Sequence, residues 1–306
     1  MIRKMQNKEK KYSPETSTRH KPLVSIVTPA YNAEKFIEDT LKSVMNQEYP
    51  NIEHIVLDDG STDNTVNILK KYENKYNLRW CSKPNEGQAV TVNKGIDIAR
   101  GEIVVWLNAD DVLFDTKVVS SVVEYFKRKP KIGVVYGHMA IMDEKNRLLK
   151  VQCAIPWLNY KRLLRAHFAA CIFYRKKLLP RYKLDPTLNF VMDYEQCLRM
   201  VKDGVKFGYL NKILISYRRH KATKSISRRK DLKAETEEIR KRFGQKFGFY
   251  YLSMKLIDDL LLFLFKIYGV KTVVKVYSSP EKFHIAFPIK FDMLLKLAIR
   301  QIIPYM

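Results

Sequence analysis

Acidic residues are in short supply in this chain. Against 56 Lys and Arg stand only 32 Asp and Glu, a formal net charge of +24. Such a surplus draws polyanions, whether nucleic acid, anionic lipid or phosphorylated substrates. Cysteine is also sparse. Cys81, Cys153, Cys171 and Cys197 have no paired spacing of a zinc site or redox motif, and they read as buried or neutral thiols of a reducing compartment. No long apolar run is present. Leu260 to Phe265 falls well short of the roughly 20 residues that cross a bilayer, so no transmembrane helix is expected. The polar stretch 1–21 has no apolar core of the kind a signal peptide needs, which points to a cytoplasmic location. Nucleic-acid recognition rests on charge alone, since none of its recognisable modules appears, and no nucleic-acid partner is expected.

What remains is enough for a folded body. A chain of 306 residues, 46% of them hydrophobic, buries a substantial core as one large domain or one domain with an appendage. Val24 to Thr28 is a β-branched run that stops at Pro29, and Ile52 to Leu57 is a second strand that stops at Asp58-Asp59-Gly60-Ser61. Leu78 to Cys81 is a weaker third, and Ile103 to Leu107 a fourth. Between them, Phe36, Ile37, Leu41 and Val44, then Val66, Ile68 and Leu69, then Gln88 to Ala99 carry helical spacing. Strands alternating with helices indicate βαβ units, hence a doubly wound, mostly parallel sheet in an α/β fold. Further on, a helix after Asp115, a strand over Ile132–Tyr136, a helix over Met192–Val201, a strand over Ile213–Tyr217 and a charged helix over Lys230–Phe243 are predicted.

Polar residues gather where the strands end: Tyr31 and Asn32 after the first, Asp58 and Asp59 after the second, and Asn108, Asp110 and Asp111 after the fourth. Open α/β sheets bind ligands outside the carboxyl ends of their strands, so three clusters at equivalent ends mark one functional edge.

The ordered set Pro29-Ala30-Tyr31-Asn32, Asp58-Asp59-Gly60-Ser61-Thr62-Asp63, Asn85-Glu86-Gly87-Gln88, Asn93-Lys94-Gly95 and Trp106-Leu107-Asn108-Ala109-Asp110-Asp111 resembles the family 2 glycosyltransferases. It covers the N-terminal third. The resemblance implies the type-A glycosyltransferase fold, which is Rossmann-like, and transfer of a sugar from a nucleotide-diphosphate donor with inversion. The acceptor is then the hydroxyl of a saccharide or lipid-linked saccharide, as in cell-surface polysaccharide or glycolipid synthesis.

That chemistry leaves a nucleoside diphosphate whose growing charge a hard cation neutralises, so Mn2+ or Mg2+ is the expected cofactor. Asp110 and Asp111 are the candidate metal carboxylates, with Asp110 and Asn108 also facing the donor. Asn108 stands where the family usually has Asp. Helix capping before Val112 is the competing reading for Asp110 and Asp111. By the same resemblance, Asp59 accepts a hydrogen bond from the base, and Pro29 and Tyr31 line the nucleotide pocket, where Tyr31 packs on an aromatic ring. Asp-Gly-Ser is also ordinary turn chemistry, a reading that suits Asp58 better than Asp59. Asn93 is a donor-facing candidate, and Lys94 fits a solvated helix face. Asp193, in Met192-Asp193-Tyr194-Glu195, matches the place of the general base, with Glu195 as the alternative and a helix cap as the competing role. His220 is a candidate for the metal or the diphosphate. Arg218, Arg219 and Lys224 suit either phosphate binding or a basic membrane-facing surface.

Three segments are expected: a polar leader over 1–21, a catalytic domain over 22–225, and a basic amphipathic helical extension over 226–306. In the last, Phe291, Leu294, Leu295, Leu297, Ala298, Ile299 and Ile302 beside Lys290, Lys296 and Arg300 fit equally an anionic bilayer surface, with peripheral attachment to the inner face of the cytoplasmic membrane, or packing on protein, including a homodimer. A non-catalytic protein of the same fold, with a decayed site, is the competing functional reading, resting on Asn108 and on Met192, which stands where the family often has Glu before the Asp. No Gly-rich, Lys-containing activation loop follows the first strand, which argues against a sugar nucleotidyltransferase.

Overall fold

The computed structural model describes residues 21–152, 154, 158–165 and 172–244. The leader over 1–20 and the extension from 245 onward lie outside the described residues, as do Cys153 and Cys171. One strand series runs β1 (Val24–Ala30), β2 (Ile52–Asp58), β3 (Leu78–Ser82), β4 (Ile103–Trp106) and β5 (Val112–Leu113). It continues as β6 (Val134–Met142), β7 (Leu148–Gln152), β8 (Ile172–Arg175) and β9 (Phe207–Arg218). The sheet order is β3-β2-β1-β4-β8-β6-β9-β5, with β7 paired to β6.

β3, β2, β1 and β4 are mutually parallel, the doubly wound half that the alternating pattern predicts. Beyond β4 the sheet is mixed: β8 runs antiparallel to both β4 and β6, while β6 and β9 are parallel. The helices are α1 (Ile37–Met45), α2 (Thr65–Tyr72), α3 (Gln88–Ile98), α4 (Val118–Arg128), α5 (Tyr160–Arg165), α6 (Met192–Lys202), α7 (Lys224–Ser227) and α8 (Arg229–Arg242).

The strand period of two sorts side chains onto two faces. Val27, Ile55, Leu57 and Val104 pack with Ala89, Val92 and Ile96 of α3. Val56 meets Ile37, Leu41, Ile68 and Leu69 of α1 and α2, while Ile26, Val105 and Leu107 meet α4. Each such side chain, fully buried, contributes about 1.5–3 kcal/mol relative to exposure. α3 sits so close to β1 that a Cβ at Gly95 would collide with the Val27 side chain. That approach explains the glycine in Asn93-Lys94-Gly95.

Pro29 lies inside β1, a central strand, yet breaks no ladder bond. The Val27 carbonyl accepts the Leu107 N–H, so odd-numbered residues of β1 face β4, and β4 ends at Trp106, before Pro29's level is reached. The proline therefore marks where β1 and β4 part and an opening begins.

The compact unit runs past residue 225 to Phe243. α8 is part of it: Ile239 is buried in the core with Leu198 and Met200 of α6. Among the described residues, no helix is long and apolar enough to cross a membrane. Cys81 and Cys197 are buried free thiols, and burial pushes both above the usual thiol range.

Candidate active site

The parallel register brings three strand ends level: Ala30 stands beside Asp58, and Asp58 beside Ser82. Immediately beyond them, Tyr31 is 55% exposed, an aromatic face left open at the sheet edge. Asn32, at φ 48°, accepts the Thr62 N–H on its side chain and donates its own N–H to Ser61, which ties the first two strand-end loops together.

Asp58 and Asp59 face different parts of the protein. Asp58 is fully buried and accepts the Ser82 hydroxyl at 2.6 Å, a structural role. Asp59 reaches across to the loop before α3, where it accepts the Glu86 and Gly87 N–H groups, both at 3.0 Å, and pairs with Lys83. Burial opposes its charge, but the Lys83 ammonium and the Glu86 N–H prevail and hold its carboxyl below the usual range. Gly87, at φ 87°, takes the left-handed turn that aims its N–H at Asp59.

The residues after β4 meet residues from late in the chain through a two-residue strand. Val112 of β5 pairs with Ser216 of β9, so the same antiparallel register sets Asp110 and Asp111 beside Arg218 and Tyr217. His220 then reaches back: its Nε2 lies 2.9 Å from Asp110 Oδ2, and its ring packs against Phe36 at 4.7 Å between centroids. Thr40 of α1 donates to the Ala109 and Asp111 carbonyls, pinning this turn from below. The candidate metal residues Asp110 and His220 thus come together, both partly open to solvent at 29% and 13% side-chain exposure.

Asp111 does not join them. It is buried, its Oδ1 accepts the Arg218 N–H at 2.9 Å, and its Oδ2 accepts from Asn108 Nδ2 at 3.1 Å. Burial and the neighbouring Asp110 charge push its carboxyl well above the usual range, against those two hydrogen bonds. Asp111, the second expected metal carboxylate, is thus turned inward, each of its oxygens holding one hydrogen bond inside the protein. Among the described residues no group of three or more metal-ligating side chains occurs.

Two other candidates have partners inside the protein. Asn93 forms two hydrogen bonds with Leu184, donating to its carbonyl and accepting its N–H, both at 2.9 Å, so it clamps the segment that leads to α6. Arg218, a phosphate candidate by sequence, is wholly enclosed. Its guanidinium pairs with Asp39 at 2.9 Å, donates to the Asp110 carbonyl and to Asn146, and lies over the Phe36 ring. Lys94 pairs with Glu86, in keeping with a solvated helix face.

Asp193 stands in the first turn of α6, partly exposed, accepting the Tyr194 N–H at 2.8 Å. The loop before it is held by a residue sequence reasoning passed over. Glu235 of α8 accepts the N–H groups of Asn189, Phe190 and Val191 at 2.7, 2.6 and 2.9 Å. No sequence signal separates it from the other acidic residues of this helix, Asp231, Glu237 and Glu238.

The strand-end edge agrees with comparisons to known proteins. The Bacillus subtilis protein designated teichuronic acid biosynthesis glycosyltransferase TuaG is 30% identical over 206 residues, 66% of this chain and 81% of that one. The poly-beta-1,6-N-acetyl-D-glucosamine synthase of Staphylococcus epidermidis is 35% identical over 130 residues, 42% of this chain; the chain spans only 31% of that longer protein. The mannosyltransferase PcManGT from Pyrobaculum calidifontis, solved with GDP-Man and Mn2+, superimposes with a TM-score of 0.57 at 18% identity, covering 80% of this chain and 71% of that one, a likeness of fold. Residues 25–183, just over half of the chain, match the sequence model of Glycosyl transferase family 2, and with this edge and these relatives the chain belongs to that family of glycosyltransferases.

Proposed function

We propose that this glycosyltransferase moves a sugar from a nucleoside-diphosphate sugar to a saccharide or lipid-linked saccharide hydroxyl, with inversion and with the help of Mn2+ or Mg2+. The observation that carries the reading is the Asp110–His220 contact, a carboxylate and an imidazole brought from 110 residues apart to 2.9 Å at the nucleotide edge of the sheet. A divalent ion at a phosphate site is commonly held by one or two protein groups, with diphosphate oxygens and water completing the shell, and this pair fits that donor set. The imidazole favours Mn2+ over the oxygen-seeking Mg2+. Bound there, the ion would neutralise the charge that builds on the departing diphosphate.

The chain's own residues supply the rest. Tyr31 offers its open ring to the base, with Pro29 at the mouth of the parting strands. Asp59, which holds the Lys83 ammonium and the Glu86 and Gly87 N–H groups, is the carboxylate that would meet a ring N–H of the base. Asn108 retains a second amide hydrogen for the ribose, and Asn93 acts through the Leu184 segment. Asp193 accepts the proton of the attacking hydroxyl, a role worth about 10²–10⁴-fold in rate. The names of the two relatives support a cell-surface polymer as the product.

The test is a thermal-shift screen of UDP, GDP and their sugars with and without Mn2+, on the wild type and Asp110→Ala. One nucleotide should stabilise the wild type in a Mn2+-dependent way, and Asp110→Ala should lose both that dependence and transfer. Near-normal turnover in Asp110→Ala would refute the metal assignment.

A further inference from the structure

Asn108 sits in a lattice of directed hydrogen bonds that leaves its amide only one orientation. The Trp106 indole N–H can only donate, so the Asn108 atom 2.9 Å from Nε1 is the carbonyl Oδ1. Gln88 of α3 donates a second hydrogen bond to the same oxygen at 3.0 Å. The amide nitrogen is thereby turned to Asp111 Oδ2, 3.1 Å away, while Asp111 Oδ1 takes the Arg218 N–H at 2.9 Å. Position 108 must therefore accept on one side and donate on the other. A carboxylate there would satisfy Trp106 and Gln88 but set its second oxygen against Asp111 Oδ2.

We infer that Asn108 is a positioning residue, the neutral half of an amide–carboxylate interlock that fixes Asp111 and, through it, the turn bearing Asp110 against the end of β9. The amide at this place is then a requirement of this chain's own bonding and no mark of a decayed site. Placing the more usual carboxylate there should harm the protein. The interlock is also reversible in principle. In a double swap, a carboxylate at position 108 would accept from Trp106 and Gln88, while an amide at position 111 would accept the Arg218 N–H and donate across to position 108, so charge and donor trade sides.

The test is a cycle of the wild type, Asn108→Asp, Asp111→Asn and the double swap. Each single change breaks a bond in a partly buried network and should lower Tm by about 3–8 °C, and the swap should recover at least half of the summed loss. A second readout separates positioning from mere stability. Titration with UDP and GDP in the presence of Mn2+, well below the lowest Tm, should show roughly tenfold weaker binding in Asn108→Asp and partial recovery in the swap. Wild-type stability in Asn108→Asp, or a swap no better than the sum of its parts, overturns the inference. If Asn108→Asp yields no folded protein, a folded double swap is the supporting result and its absence the refuting one. The binding readout rests on the transferase reading and the Tm cycle does not: a wild type that binds neither nucleotide with Mn2+ counts against that reading, while the Tm cycle still decides the interlock.

Discussion

Asp193 and Glu195 stand two positions apart on α6, yet the structure gives them different resources. Glu195 is 1% exposed, and its carboxylate is held by Arg199, whose Nε donates at 2.8 Å and Nη2 at 2.9 Å, so it is enclosed in an ion pair and turned from solvent. Asp193→Asn should cut turnover by about 10²-fold or more with donor affinity little changed, as steady-state kinetics beside nucleotide titration would reveal. Glu195→Gln should instead lower stability, because it weakens a buried ion pair. Collapse of turnover in Glu195→Gln with activity retained in Asp193→Asn would transfer the base two residues along. A different residue makes the fold sensitive to acid. His54 is wholly buried between Thr28 at 2.9 Å and the Tyr76 hydroxyl at 2.7 Å, and burial lowers its pKa to about 3. Between that value and about 6.5 the unfolded state binds a proton the folded state refuses, so stability falls on acidification by about 1.4 kcal/mol per pH unit. Urea unfolding at pH 7, 6 and 5 should show a shallower decline in His54→Gln than in wild type; equal slopes would remove His54 from the account. The strand-end acids were legible because each follows a short apolar run directly. Arg218 was not: the Asp39 that neutralises it lies 179 residues earlier, and no local pattern distinguishes a buried guanidinium from a phosphate ligand.

α8 shows how an element can be legible in the sequence while its attachment is not. Its charged helical sequence was plain, but its surface charge hid residues that bind it to the catalytic unit, among them Ile239 in the core and Glu235 on the loop before Asp193. Three charge-assisted hydrogen bonds to backbone N–H groups are strong ones. Glu235→Ala should cost about 2–4 kcal/mol and lower turnover along with it, because the N-terminus of α6 would lose its anchor. Truncation after residue 225 should then give a protein that unfolds well below the wild type, whereas truncation after Phe243 should not; circular dichroism melts distinguish the two, and equal melts would return α8 to the extension. The strands were legible in proportion to their length and regularity. β1, β2 and β4 are continuous apolar runs, but β5 has two residues and β8 four, too short for any period, and both are fixed only by partners far along the chain. β6 and β9 extend past the segments the sequence marks, through an irregular register at Tyr136 to Met139.

At the scale of the molecule, the surplus of positive charge and the mixed Leu, Phe and Lys composition of the C-terminal stretch fit a protein drawn to an anionic membrane face. Removing residues 251–306 should release it from anionic vesicles in a sedimentation assay at low salt; wild type that never sediments with them would end the idea. The catalytic unit carries its own long-range requirement. Asp110 and His220 meet only through β5 and β9, a closure over 110 residues, whereas β1, β2 and β3 join by short βα connections. Loop closure over such spans is slow, and chains of this size fold through intermediates. In refolding from urea, far-UV ellipticity should thus recover before Mn2+-dependent nucleotide binding, followed in stopped-flow and delayed-addition experiments; simultaneous recovery would show that β9 docks with the first strands. A nucleotide that binds only the closed form would draw the late intermediate forward by mass action. A strand of two residues therefore governs when the site comes into being, as well as where.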